Sequence, residues 1–139
     1  MRRVFVDTSG FYALIVGKDE NHGRADELFT LAQREAWRLV TTNAVVFEAH
    51  ALLLHRSRPG RATALKFLDA AQNDAYDVVR VRKNDEEKAI ALIWAHEDKL
   101  YKLYSFCDAL SFVVMERLRI REAIAFDQDF RSYGKFTLL

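Results

Sequence analysis

The chain has 139 residues, of which 50% are hydrophobic and 29% charged, and its formal net charge is +1. That length makes one domain spanning 1–139 with a core of ordinary size, and the composition excludes intrinsic disorder. The near-neutral balance does not mark a polyanion-binding protein, but it permits one if the two signs are segregated on the surface.

Arg2 and Arg3 precede an apolar run that Asp7 interrupts, and no small-residue cleavage site follows, so this stretch is not expected to be a signal peptide. Val4, Phe5 and Val6 read as a strand buried on both faces, with Asp7, Thr8 and Ser9 opening a helix that runs from Ser9-Gly10 to Gly17. After the polar break Lys18-Asp19-Glu20-Asn21, a helix carries Ala25, Leu28, Phe29, Ala32 and Ala36. Leu39 to Thr42 is a second strand, and Asn43 is placed to cap the helix through Val45, Val46, Ala49, Leu52 and Leu53. Pro59-Gly60 makes a turn before a helix through Ala62, Leu65, Phe67, Leu68 and Ala71. Tyr76 to Val81 is a third strand, and Asn84 or Asp85 caps a helix through Ala89, Ile90, Ile93 and Trp94. Lys99 to Ser105 is a polar and aromatic loop, followed by an apolar helix from Asp108 to Met115. Ala123 to Phe126 is a fourth strand and Phe136 to Leu139 a fifth. Strands separated by helices imply right-handed crossovers and an α/β fold, with a mainly parallel four- to five-stranded sheet between two helical layers. No apolar run approaches the ~20 residues of a membrane span, and a lone cysteine, Cys107, fits the reducing cytoplasm.

Four acids stand where acids are costly. Asp7 and Asp127 each follow an apolar strand, and parallel strands bring both to one carboxyl edge, where ligands of open α/β sheets bind. Glu48 shares a helical face with Val45 and Leu52, and Asp108 opens an apolar helix. Each has a plainer reading: Asp7 and Asp127 as helix caps, Ser105 to Asp108 as a capping box, and Glu48 turned to solvent. Gathered at one edge, such carboxylates repel one another, and a divalent cation is the usual remedy. An all-carboxylate set suits magnesium or manganese rather than zinc, and hard cations so held serve phosphoryl chemistry. His22, His50, His55 and His96 share no helical face and read as surface or capping residues, and Cys107 reads as a small buried residue. No Walker loop or dinucleotide fingerprint is present.

Val4-Phe5-Val6-Asp7-Thr8-Ser9, Thr41-Thr42-Asn43 with Glu48, Phe106 to Phe112, and Ala125 to Phe130 resemble, in order and spacing, the PIN-domain nucleases over essentially the whole chain. The short single-domain form looks like the VapC toxins of bacterial and archaeal toxin–antitoxin pairs. The resemblance implies a three-layer α/β/α PIN-like fold, magnesium or manganese dependence, endoribonuclease activity, homodimerisation and inhibition by a cognate antitoxin protein. It carries over Asp7, Glu48, Asp108 and Asp127 as the acidic quartet, with Asp7 and Asp108 at the positions most often given as metal ligands, and Thr8 or Ser9 at the hydroxyl position beside the first acid. The chain departs from the family pattern at Phe126, where a small residue is common, and at Asp129, which competes with Asp127 for the fourth place. A housekeeping PIN nuclease and a non-catalytic protein-binding module are the other functions the fold would serve, and an intact quartet favours catalysis. For RNA contact, Lys99, Tyr101, Lys102 and Tyr104 interleave cations with rings that stack on bases or pack at a dimer interface. Arg56 with Arg58 and Arg61, Arg80 with Arg82 and Lys83, and Arg117 with Arg119 and Arg121 are further basic clusters, each also readable as a solvated face.

Overall fold

The computed structural model describes residues 1–96 and 104–139. The expected Lys99, Tyr101 and Lys102 contacts therefore lie outside the described residues. Strands β1 (Arg3–Val6), β2 (Arg38–Thr42), β3 (Asp77–Val79), β4 (Glu122–Ile124) and β5 (Thr137–Leu138) form one sheet in the order β3-β2-β1-β4-β5. Every pairing is parallel, as the intervening helices require. The helices are α1 (Thr8–Ile15), α2 (His22–Arg34), α3 (Asn43–Arg56), α4 (Gly60–Gln72), α5 (Lys83–Ala95), α6 (Phe106–Leu118) and α7 (Gln128–Tyr133).

Val4, Phe5 and Val6 are fully buried because β1 is the central strand, covered on both faces. Alternation along the strand sorts its side chains. Phe5 stacks on Phe130 of α7, which meets Phe112 of α6 edge to face with ring centroids 4.8 Å apart. On the α1 side, Phe11 meets Phe67 of α4 and Tyr76 at 5.1 and 4.9 Å. α1 lies so close to β4 that a Cβ at Gly10 would sit 2.5 Å from the Ile124 carbonyl oxygen, so only glycine fits there.

Helix starts differ from expectation in two places. Asn43 is inside α3, and Thr42 is the cap, its hydroxyl accepting from the Val45 N–H at 3.1 Å. The Asn43 side chain instead accepts from the Val81 N–H, tying the exit of β3 to the start of α3. α5 begins at Lys83, before both proposed caps. Asp85 works from the first turn, accepting from the Arg82 N–H at 2.9 Å, and it is buried against Arg117 of α6 in a two-pronged ion pair. Burial pushes the Asp85 carboxyl up, but Arg117 and the Arg82 N–H together hold it below its ordinary value. Arg117 therefore leaves the basic cluster in which sequence had placed it. Ala36 lies beyond α2 rather than in it, with φ 54 in the left-handed region.

Candidate metal centre

Each acid of the carboxyl edge is placed by a local rule. Asp7 follows β1 and its N–H continues the ladder to the Ile124 carbonyl at 3.2 Å, while Thr41 donates to the Val6 carbonyl from the other side at 2.8 Å. Asp7 is thus held between β2 and β4. It caps α1 through one oxygen, Oδ2, which accepts from the Ser9 N–H and, at 2.9 Å, from the Ser9 hydroxyl. The Ser9 oxygen in turn accepts from the Phe126 N–H at 2.9 Å, so one side chain joins the ends of β1 and β4. Asp127 caps α7 through Oδ1, accepting from the Asp129 N–H, and Asp108 closes the expected capping box with Ser105.

The capping reading of these three acids holds, and it leaves room for the chemical one. A cap occupies one carboxylate oxygen and leaves the other. Asp7, Asp108 and Asp127 each offer a ligand atom, and these atoms lie within 4.8 Å of one another. Asp7 Oδ1 is buried with no hydrogen-bond partner, an expensive state for a carboxylate unless a cation meets it. Burial first, and then the Asp127 charge, push the Asp7 carboxyl up to about 6 against the resistance of its Ser9 and Thr8 hydrogen bonds. Asp108 is raised well above its ordinary value by burial and by the charges of Asp7 and Asp127. It shares a hydrogen bond with Asp129, which burial also raises. An all-oxygen donor set with a buried orphan oxygen, and with the Asp7 and Asp108 carboxyls raised, fits a hard divalent cation.

Glu48 does not join this cluster. It is half-buried in the wall of an adjoining cleft of about 270 Å³, lined also by Thr8, Ser9, Asp127, Asp19 and Arg56. Its charge reaches the centre, since burial and then the charges of Glu48, Asp7 and Asp108 push the Cys107 thiol far above its ordinary value. Cys107 is half-buried, packed against the hydrophobic core and within reach of these charges. Thr8 is buried at the rim. Asp19 is a cleft residue that sequence reading missed, because the break at Lys18-Asp19-Glu20-Asn21 was legible only as a helix start. Asp19 accepts from the Asn21 N–H at 2.8 Å.

One expectation is corrected. Tyr104 is only 6% exposed, its ring packed edge-on against Phe112 and Tyr133, so it offers no face to an RNA base. Of the two candidates for the fourth place, Asp127, the one expected, is in the triad, and Asp129 sits beside Asp108. The histidines are peripheral as expected, with His22 and His96 bonded through Nδ1 to the Ala13 and Leu92 carbonyls.

A family model described as PIN domain matches residues 4–136. The chain is 34% identical over 131 residues to a curated protein from two strains of Mycobacterium tuberculosis, 23S rRNA-specific endonuclease VapC20, covering 94% of each. The crystal structure of Mycobacterium tuberculosis VapC20, described as a sarcin–ricin loop cleaving toxin, superposes with a TM-score of 0.84 at 33% identity, covering 95% of both chains. VapBC2 from Rickettsia felis, bound to a DNA fragment from its promoter, shares the fold at a TM-score of 0.68 and 12% identity, covering 99% of this chain and 97% of that one.

Proposed function

The chain belongs to the PIN-domain family, and we propose that it is a magnesium- or manganese-dependent endoribonuclease that cuts ribosomal RNA as the toxin of a toxin–antitoxin pair. The observation that carries this reading is the convergence of Asp7, Asp108 and Asp127 at the carboxyl edge of the sheet. These three would hold the ion. A divalent cation held there would supply neutralisation of charge on the scissile phosphate and a lowered pKa for the attacking water.

The chain's own residues do the rest. Ser9 fixes Asp7 Oδ2 and leaves Oδ1, which has no hydrogen-bond partner, as the atom that would meet the ion, so the acid is preorganised by the backbone of two central strands. The N-termini of α1 and α7 direct N–H groups at Asp7 and Asp127 and offset part of the repulsion. Arg56 in the cleft wall receives a backbone phosphate, and Glu48 orients the attacking water. Glu48→Gln is expected to lower kcat by about 100-fold while leaving metal affinity close to that of the unchanged protein. A loss of metal binding equal to that of an Asp7 variant would move Glu48 into the metal centre.

The partners that follow are an RNA substrate and an antitoxin protein. Ile90 and Trp94, exposed one turn apart on α5, offer apolar surface for a homodimer. Among the described residues no helix is long and apolar enough to cross a membrane, and the proposed substrate places the protein in the cytoplasm. Incubation of the purified protein with ribosomes and manganese should give a discrete cut in the large-subunit RNA at the sarcin–ricin loop, abolished by EDTA. Cleavage of another RNA would change the substrate, and no cleavage of any RNA would remove the nuclease reading.

A further inference from the structure

At the opposite edge of the sheet from the acids lies a second concavity, an open groove of about 590 Å³. It is formed where α6 ends and β4 and β5 begin. Arg119, Arg121 and Lys135 line it, over an apolar floor that includes Met115, Ile120 and Phe136. Among the described residues, Arg119 and Arg121 have no ion-pair partner. The one acid in the lining, Glu116, accepts from the Tyr133 hydroxyl at 3.1 Å and lies 3.7 Å from the Lys135 ammonium. Other arginines near this edge are engaged: Arg2 pairs with Glu122, Arg38 with Asp77, and Arg3 donates to the Leu118 carbonyl. Arg119 and Arg121 are thus the cations of the groove that no acid in the described residues neutralises. Arg119 ends α6 with φ 58, in the left-handed conformation that glycine adopts most readily, so a cationic side chain stands where backbone preference alone favours none.

We propose that this groove is a second RNA contact, which holds the phosphate backbone of a folded substrate away from the cleavage site. The inference rests on the ribonuclease reading and adds to it how folded RNA is selected. Helix α6 is the ruler between the two sites. It carries Asp108 in its first turn and Arg119 at its end, and at 1.5 Å per residue the separation along it is about 16 Å. A nucleotide held in the cleft cannot span that distance, whereas another strand of a folded RNA can. Cations over an apolar and aromatic floor suit a phosphate chain with its riboses, and such contacts position a nucleic acid without reading its sequence. A single-stranded oligonucleotide short enough to occupy only the cleft gains nothing from the groove.

The test compares the unchanged protein with an Arg119→Gln, Arg121→Gln double variant, and with Lys135→Gln alone in case the double variant fails to fold. Binding is measured by fluorescence anisotropy in EDTA, so that no cleavage occurs, using a sarcin–ricin stem-loop RNA and a trinucleotide. Each lost phosphate contact should lower the slope of log affinity against log salt by about 0.9. The double variant should therefore show a slope reduced by about 1.8 on the stem-loop, with trinucleotide binding unmoved. In manganese, the variant's KM for the stem-loop should rise about tenfold with kcat unchanged, the mark of binding shared by ground and transition states. An unchanged slope, or an equal loss on the trinucleotide, would overturn the proposal. Displacement of the stem-loop by polyglutamate as effectively as by RNA would do so too, assigning the groove to an acidic protein. Because binding is read without metal, an unchanged protein that binds through the groove yet cuts nothing would overturn the nuclease reading alone.

Discussion

Asp7→Asn should lose RNA cleavage by at least about 1,000-fold, equivalent to about 4 kcal/mol of transition-state stabilisation, and yet melt higher than the unchanged protein when both are free of metal. The two effects have one cause. Asp7 is 1% exposed, with Oδ1 unpartnered and its carboxyl raised to about 6. Keeping it ionised at neutral pH therefore costs the fold free energy. Asparagine keeps an oxygen to accept from Ser9 and supplies an amide that donates towards Asp108 and Asp127, removing a charge while retaining the cap. The gain is about 2 kcal/mol at neutral pH, or roughly 6 °C in Tm for a chain of this size. Saturating manganese should invert the order, because the unchanged protein gains an ion that the variant binds poorly. Thermal melting of both proteins with EDTA and with manganese checks this. A variant that melts lower in EDTA would mean that the buried carboxylate is a net stabiliser and would contradict the geometry.

The stability of metal-free protein should fall as pH rises from about 4 to 8, against the usual trend for acidic clusters engaged in ion pairs. For a carboxyl whose folded value is raised, the folded state binds the proton more tightly than the unfolded chain does. Its stabilisation is complete below the unfolded value near 4 and is lost as pH passes through the folded value, about 6 for Asp7. The raised Asp108 carries the loss to higher pH in the same direction. Asp85 acts oppositely: lowered by Arg117, it stabilises above its unfolded value and fails in acid, which sets the lower limit. Urea titrations across this range should show a loss of about 2 kcal/mol from Asp7 alone. A divalent cation at 100 times its Kd returns about 2.7 kcal/mol. Stability that rises steadily to pH 8 in EDTA would show the acids already compensated within the protein.

Much of this was legible in the chain because the relevant signals are local. Apolar runs marked all five strands to within a few residues, and Asp7 and Asp127 could be placed by counting from strand ends. What escaped depends on contacts between distant residues. Arg117 looked like its exposed neighbours Arg119 and Arg121 until Asp85, on another helix, turned it inward. Asn43 and Thr42 are equally good capping types, and only the distant Val81 N–H decides that Asn43 serves another purpose. Tyr104 follows a polar stretch, so nothing nearby in sequence signals that it closes against Phe112 and Tyr133. Glu48 shares a face with apolar residues, but how far it stands from the other acids depends on where α3 lies against the sheet, which periodicity does not encode.

The parallel topology has a consequence for when the protein becomes active. Asp7 stands near the start of the chain on the central strand, while Asp108, Asp127 and β4, whose carbonyl receives the Asp7 amide, all lie beyond Ser105. During synthesis, β1 can pair with β2 on one side while its other edge stays open and its carboxylate stays alone. The metal centre can close only after the segment beyond Ser105 has left the ribosome and β4 inserts against that open edge. Catalytic competence then waits on that later segment, which keeps an enzyme proposed to cut ribosomal RNA inert for as long as β1 lacks β4.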